Sequence, residues 1–294
     1  MKGIILAGGR GTRLAPVTTA VSKQLLPIYD KPLIFYPLSV LMFAGIRDIL
    51  VISRPEDLPL YRTLLGDGAD WGLNFSYAGQ DRPEGLPQAF TIARDFLGDE
   101  DCALVLGDNL FYGHGFTELL AEATQRRKGA AIFTYRTKTP ERYGVLLRDD
   151  KRQPAGIVEK PKQPVSNEAI VGLYFFDNKV RAYTETLRPS DRGELEITDL
   201  IRIYLDAKDL DIVEMGRGYA WFDCGTHESM LQASNFVQAI EERQGLKIAC
   251  PEEIAFHMGF IDIAQLRHCA KRNAGSSYGQ YLEGLAEDLS RQVR

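Results

Sequence analysis

The chain has 294 residues, 45% of them hydrophobic and 26% charged, with 27 glycines and a formal net charge of -5. That length can bury a large core. The mildly acidic balance gives no global basic field to attract nucleic acid or an anionic membrane, so any anion site must be local.

One lysine and a short apolar stretch precede Gly8-Gly9, too little for a signal peptide. The run Ile4 to Ala7 is short, β-branched and bounded by glycine, and reads as a buried strand. It breaks into Gly8-Gly9-Arg10-Gly11-Thr12-Arg13. Such a turn presents bare backbone N–H groups at a sheet rim, where glycine can approach a ligand closely. Arg13 adds a planar fork suited to phosphate oxygens. The spacing matches neither G-x-G-x-x-G nor G-x-x-x-x-G-K-[ST], so this is a different kind of polyphosphate cradle. Lys23, in Ser22-Lys23-Gln24-Leu25-Leu26-Pro27, is a second cation for it; a solvated surface lysine is the alternative.

The longest apolar run, Leu33 to Ile46, is interrupted by Pro37 and Ser39 and falls short of a membrane span. It reads as a buried helix over Leu33–Ala44, opened by Pro32. Strands are expected at Asp48–Ile52, Asn74–Ala78, Cys102–Leu106 and Ala130–Tyr135, and helices at Glu56–Leu65 and Phe116–Gln125. An apolar stripe runs through Leu86, Ala89, Phe90, Ala93, Phe96 and Leu97 at helical spacing. Alternation of this kind predicts an α/β fold, with a mostly parallel, Rossmann-like sheet flanked by helices and ligands beyond the carboxyl ends of its strands.

From Gly144 shorter strands (Val145–Arg148, Gly156–Glu159, Ala169–Phe176) suggest a small antiparallel excursion over the sheet edge. Helices follow at Asn178–Leu187 and Ile197–Leu205, then strands at Ile212–Met215 and Tyr219–Phe222, then a helical extension to the end. Residues 1–225 are therefore read as the core and 226–294 as an extension packed on it, one domain overall. Four scattered cysteines without a C-x-x-C pair point to reduced thiols and a cytoplasmic protein. The four histidines show no metal spacing, and His257 and His268 are expected on helix faces or the surface.

Two carboxylates follow strands: Asp108 in Gly107-Asp108-Asn109, and Asp223 after Trp221-Phe222. An Asx turn and a helix N-cap are the alternative readings. Beside a phosphate cradle the pair suits Mg²⁺, which takes one or two carboxylates plus substrate phosphates. Glu159-Lys160-Pro161 ends another strand; a carboxylate there can accept sugar hydroxyls and an ammonium can meet a phosphate, or the segment is a solvated turn. Gly193 to Asp199 can equally be an acidic helix start.

These motifs, GGRGTRL, SKQLLP, GDN, VEKP, GELEITD and WFDCGTH, together with ERYGV, GLYF, RGYAW and CPEEIA, resemble the sugar-1-phosphate nucleotidylyltransferases over essentially the whole chain. The resemblance implies the nucleotide-diphospho-sugar transferase fold and a Mg²⁺-dependent reaction of dTTP with α-D-glucose 1-phosphate, giving dTDP-glucose and pyrophosphate. By that resemblance Arg13, Lys23 and Lys160 clamp phosphates, and Asp108 and Asp223 hold the metal. Gly8, Gly11, Thr12, Gln24, Gln80, Gly85 and Asp108 bind the nucleotide; Asn109, Tyr143, Gly144, Glu159, Ile170 and Val171 line the sugar pocket. A sugar phosphate has its second pKa at about 6, so no general base is needed. The resemblance also implies a homotetramer in deoxysugar biosynthesis, inhibited by dTDP-L-rhamnose at a second site. Three departures from the pattern stand out: Pro87 in place of alanine, Cys224 in place of threonine, and a less basic stretch at His257-Met258-Gly259-Phe260. Rival readings are a UTP-dependent enzyme of the same fold, a non-catalytic homologue, and a glycosyltransferase. The second would have lost Arg13, Lys23, Asp108 or Asp223, and the third needs a D-x-D that Gly107-Asp108-Asn109 does not supply.

Overall fold

The computed structural model describes residues 1–125 and 128–292. Its first part runs β1 (Lys2–Leu6), a hairpin of β2 (Pro27–Ile28) and β3 (Lys31–Pro32), α1 (Phe35–Phe43), β4 (Asp48–Ser53), α2 (Leu58–Leu65), β5 (Asn74–Gly79), α3 (Gln88–Ile92) and α4 (Arg94–Leu97). Then come β6 (Cys102–Leu106), β7 (Asn109–Gly113), α5 (Phe116–Thr124), β8 (Ala130–Arg136), β9 (Gly144–Arg148), β10 (Pro154–Glu159) and β11 (Glu168–Phe176). The chain continues through α6 (Val180–Thr186), α7 (Ile197–Asp206), β12 (Leu210–Met215), β13 (Tyr219–Asp223) and helices α8 (His227–Gln244), α9 (Pro251–His257), α10 (Ile263–Arg272) and α11 (Ser277–Gln292).

β5, β4, β1 and β6 lie side by side and parallel. β11 runs antiparallel to β6 on one edge and to β8 on the other, and β12 pairs parallel with β8. Because strand residues alternate in direction, the sheet sorts its side chains onto two faces. Ile5, Val51, Val105 and Phe175 face α1, α2, α5 and α9; Ile4, Leu50, Leu104 and Phe176 face α3, α4, α6 and α7. Both faces are covered, which is why these strands read as continuous apolar runs. The connection from β1 goes to β4 on one side while β6 lies on the other, so a crevice opens beyond the carboxyl ends of β1 and β6.

The structure corrects the sequence reading in several places. Pro32 lies in β3, and α1 starts only at Phe35. The apolar stripe from Leu86 is two short helices, broken at Ala93. The antiparallel excursion does not cover the sheet edge; it is paired into the sheet. β11 has nine residues, of which Leu173–Phe176 match β6. Its amino-terminal part overhangs the end of β6, and there Ala169 pairs with Val145 of β9. β9 and β10 thus form a wall above the crevice. Sequence reading missed β7, which pairs with β13 from Asn109↔Asp223 to Gly113↔Tyr219, and the β2–β3 hairpin. In the C-terminal extension, α8 packs Ala233 and Val237 onto Ile28, Leu33 and Leu110, while α9, α10 and α11 share a small core around Cys250, Leu266 and Leu282. The final two residues, part of the expected helical extension, lie outside the described residues.

Candidate active site

A cavity of about 590 Å³ occupies the crevice. The glycine turn after β1 forms one lip, with Gly8, Gly9 and Arg13 lining it. Gly8 has no room for a side chain, since a Cβ would overlap the Gln80 amide oxygen. Gln80 is buried there and donates through Nε2 to Gln88 Oε1 at 2.7 Å. Gly85, at φ 112°, lies against Leu195, whose N–H donates to the Glu84 carbonyl at 2.7 Å. A Cβ on Gly85 would strike the Leu195 backbone, so the close approach requires glycine. Pro87 has φ -61° at the start of α3, where its missing N–H is harmless, and the loop around Gly85 stays pinned to Leu195.

β7 and β13 deliver the acids. Cys224 donates its N–H to the Asp108 carbonyl at 2.9 Å, which holds the two strand ends together. Asp108 and Asp223 are 17% and 16% exposed at the side chain, and both line the cavity. Asp108 accepts from Lys23 Nζ, itself 12% exposed, and from Asn109 Nδ2 at 2.9 Å. Burial favours protonation of Asp108, but Lys23 and Asn109 outweigh it and hold the carboxyl below its ordinary value. Asp223 is pushed up instead, by burial and then by the negative charge of Asp108, against the pull of Lys23, Arg142 and Arg13. Arg142 Nη2 donates to Asp223 Oδ2 at 3.1 Å. A Cβ on Gly225 would stand 2.9 Å from Arg13 Nη2 and 3.1 Å from Asp223 Oδ1, which puts that guanidinium beside the same carboxylate. Asp223 is not a helix cap: Thr226 caps α8, accepting from the Ser229 N–H. The Asp108 carboxylate accepts from Lys23 and Asn109 rather than from a backbone turn.

The opposite wall comes from the β9–β11 overhang. Tyr143, Gly144, Glu159, Lys160 and Ile170 line it. Glu159 Oε2 accepts from Thr198 Oγ1 at 3.1 Å, and Lys160 Nζ is 3.3 Å from Glu159 Oε1. Lys160 has φ 40°, a conformation unusual for lysine, fixed by its N–H to the Tyr143 carbonyl at 3.0 Å. Asn109 Oδ1 accepts from Gly172 N–H at 3.1 Å and from Trp221 Nε1 at 2.6 Å, so Asn109 ties β7 to β11 and β13.

Five residues expected in the site do not line the cavity. Gln24 is buried under the cradle, its Oε1 accepting from Ser22 and facing the Tyr61 hydroxyl. The Val171 side chain points to the opposite sheet face, as alternation from the cavity-lining Ile170 requires. Gly11, at φ 58°, packs against Thr18, and Thr12 is exposed outside the cavity lining. Lys23 reaches the site through Asp108 rather than by lining it. Residues not singled out include Arg142, Arg192 and Trp221 in the lining. Arg192 bonds Glu196 and approaches Glu159 at 3.4 Å. Glu196 is the residue before α7, so the acidic segment is a helix start whose first carboxylate is bonded rather than free. The two arginines lie in quoted motifs or next to them, but only the fold brings them to one wall.

Cys224 is fully buried against Leu110 and Val237, where burial pushes its thiol up. Among the described residues no three His, Cys, Asp or Glu side chains cluster as a metal cage. His257 and His268 are exposed. Among the same residues no helix is long and apolar enough to cross a membrane.

A nucleotidyl transferase family model matches residues 2–240. The chain belongs to that family. It is similar to the glucose-1-phosphate thymidylyltransferase of Xanthomonas campestris pv. campestris, 57% identical over 97% of both chains, and to that of Mycobacterium tuberculosis, 50% identical over 98% of this chain and 99% of the relative. Among solved structures, a candidate glucose-1-phosphate thymidylyltransferase from Bacillus anthracis in complex with a sucrose superposes with a TM-score of 0.74 at 39% identity, covering 80% of this chain and 94% of that one. A UDP-glucose pyrophosphorylase complexed with UDP-glucose gives 0.69 at 25% identity, covering 83% and 99%. This nucleotidyl transferase therefore shares its fold with both of those structures.

Proposed function

We propose that the protein transfers the thymidylyl group of dTTP to α-D-glucose 1-phosphate, forming dTDP-glucose and pyrophosphate. The observation that carries this reading is the convergence of Arg13, Asp108, Asp223 and Lys160 on one cavity, from four separate segments of the chain. The relatives named above support the choice of substrates. The sugar phosphate oxygen attacks the α-phosphorus of the nucleotide, and the bond to the departing pyrophosphate breaks. The attacking oxygen is already ionised near neutral pH, so positioning and charge stabilisation suffice. In this reading Arg13 meets the triphosphate and its leaving group, and Lys160 meets the sugar phosphate. Glu159, steadied by Thr198, is placed to accept sugar hydroxyls.

Asp108 and Asp223 suit Mg²⁺. They are half-buried like charges with bonded partners, and the rest of the coordination sphere would come from water and phosphate, as that ion prefers. Mg²⁺ there would neutralise charge building on the phosphates.

A second cavity of about 290 Å³ lies where β7 meets the chain after α8, lined by Tyr112, Phe116, Lys247, Glu253 and His257. It is the candidate seat for feedback by dTDP-L-rhamnose in a cytoplasmic, tetrameric enzyme of deoxysugar synthesis. Its aromatic rings offer a base its partners, while Lys247 is already paired with Asp30 and Glu241, and His257 stands where a stronger base is expected.

The decisive experiment is pyrophosphate release by purified protein with Mg²⁺, glucose 1-phosphate and each nucleoside triphosphate in turn, ribo and deoxy. Release with dTTP well above UTP is expected. Preference for UTP would reassign the base, and no release with any nucleotide would remove the reading.

A further inference from the structure

The two site carboxylates each carry a resident cation, and the two are held differently. Lys23 sits on Asp108, its side chain 12% exposed and its neighbour Gln24 locked by Ser22. Arg142 sits on Asp223 from the end of a short helical turn over Pro140–Arg142, its side chain 35% exposed and its guanidinium 5.5 Å from the Tyr143 ring centre. The Tyr143 hydroxyl reaches the same Asp223 oxygen at 3.4 Å.

We propose that Arg142 is a displaceable counter-cation: it occupies Asp223 until a divalent ion takes that oxygen, and the freed guanidinium then turns to the substrate phosphates. This rests on the two-carboxylate reading given above. A carboxylate oxygen engaged by a guanidinium is blocked for a small ion that demands near-octahedral geometry, and the two cations repel at contact. Lys23 is the buried partner and stays; Arg142 is the exposed one, so it yields. Its destination is close, because Arg142 lines the same cavity as Arg13 and Lys160. The guanidinium fork matches phosphate oxygens better than an ammonium does. Lys23 and Arg13 stay beside the two acids throughout, and the exchange frees one further positive group, Arg142, for the phosphates.

The test measures Mn²⁺ binding without nucleotide, by the electron paramagnetic resonance signal of free Mn²⁺. Wild type, Arg142→Gln, Arg142→Lys and Asp223→Asn are compared, with melting curves to confirm folding. Arg142→Gln should bind Mn²⁺ about two- to fivefold tighter than wild type, as expected for losing one half-exposed ionic competitor. Its KM for glucose 1-phosphate or dTTP should rise in the same preparation. Arg142→Lys keeps the charge but not the fork, so it should bind Mn²⁺ like wild type and still show the raised KM. Equal or weaker Mn²⁺ binding by Arg142→Gln, or an unchanged KM in Arg142→Lys, overturns the proposal alone. Equal Mn²⁺ binding by wild type and Asp223→Asn overturns the two-carboxylate reading and the proposal with it.

Discussion

Asp223 shows how much a single position depends on its surroundings. Its carboxyl is raised by burial and by Asp108, while Arg13 and Arg142 approach from two sides. Removing one charge from this group should matter most when negative charge peaks on the transferring phosphate. Arg13→Ala and Asp223→Asn are each expected to lower kcat by roughly 10²–10³-fold, the range for losing one preorganised charge contact. Both sites are on the cavity wall rather than in the core, so melting temperatures should stay within a few degrees. Steady-state pyrophosphate release and calorimetry check the pair, and near-normal turnover in both would refute the assigned roles. The residues that sequence reading named here, Arg13, Asp108 and Asp223, were legible because each follows a strand in a short glycine-containing motif. Arg192 was not: it lies on a turn between α6 and α7, and nothing local shows that it faces Glu159.

At the scale of elements, the β11 overhang organises the site. It lets a sheet that ends at Leu106 continue as a wall of the cavity, and the alternation along β11 decides that Ile170 faces the cavity while Val171 does not. Periodicity located nearly every strand and helix to within a few residues. It could not show that β9 pairs alongside β11, because pairing is a long-range choice made by register. β7 escaped for a related reason: Asn109–Gly113 carries a turn signal at one end and glycine at the other, and only β13 makes it a strand. The contact between Gly85 and Leu195 is a sharper test. Gly85→Ala would force its loop away from the segment before α7; if that loop holds the nucleotide as proposed, the KM for dTTP should rise on the order of tenfold or more, in keeping with the cost of misplacing a substrate-positioning group. Nucleotide titration monitored by Trp fluorescence would measure it; an unchanged dissociation constant would mean that the loop does not touch the nucleotide.

For the whole molecule, ion pairs bind the extension to the core. Lys31 is buried between Asp30 and Glu241, Lys247 joins the same two acids, and Glu241 Oε1 accepts the Ile248 N–H at 2.9 Å. Lys31→Met leaves buried carboxylates under-compensated and should cost about 3–5 kcal/mol, the range for breaking a buried pair, seen as a lower urea midpoint. Acid should act through the same kind of group. Burial alone would raise Glu168, but Arg148 and Thr134 bring its carboxyl below the ordinary 4.5 in the folded chain. A depressed folded value means that its stabilisation is complete above 4.5 and is lost as pH falls through the folded value, so melting temperature should decline steeply below about pH 4.5. A flat profile there would count against these pairs as stabilising contacts. The β7–β13 ribbon adds a mechanical consequence. One end of β7 adjoins Asp108 and the other, at Phe111–Gly113, floors the second cavity. Five residue pairs make one continuous ribbon, so a body wedged beneath its far tip would bear on the strands that carry the acids at its near tip.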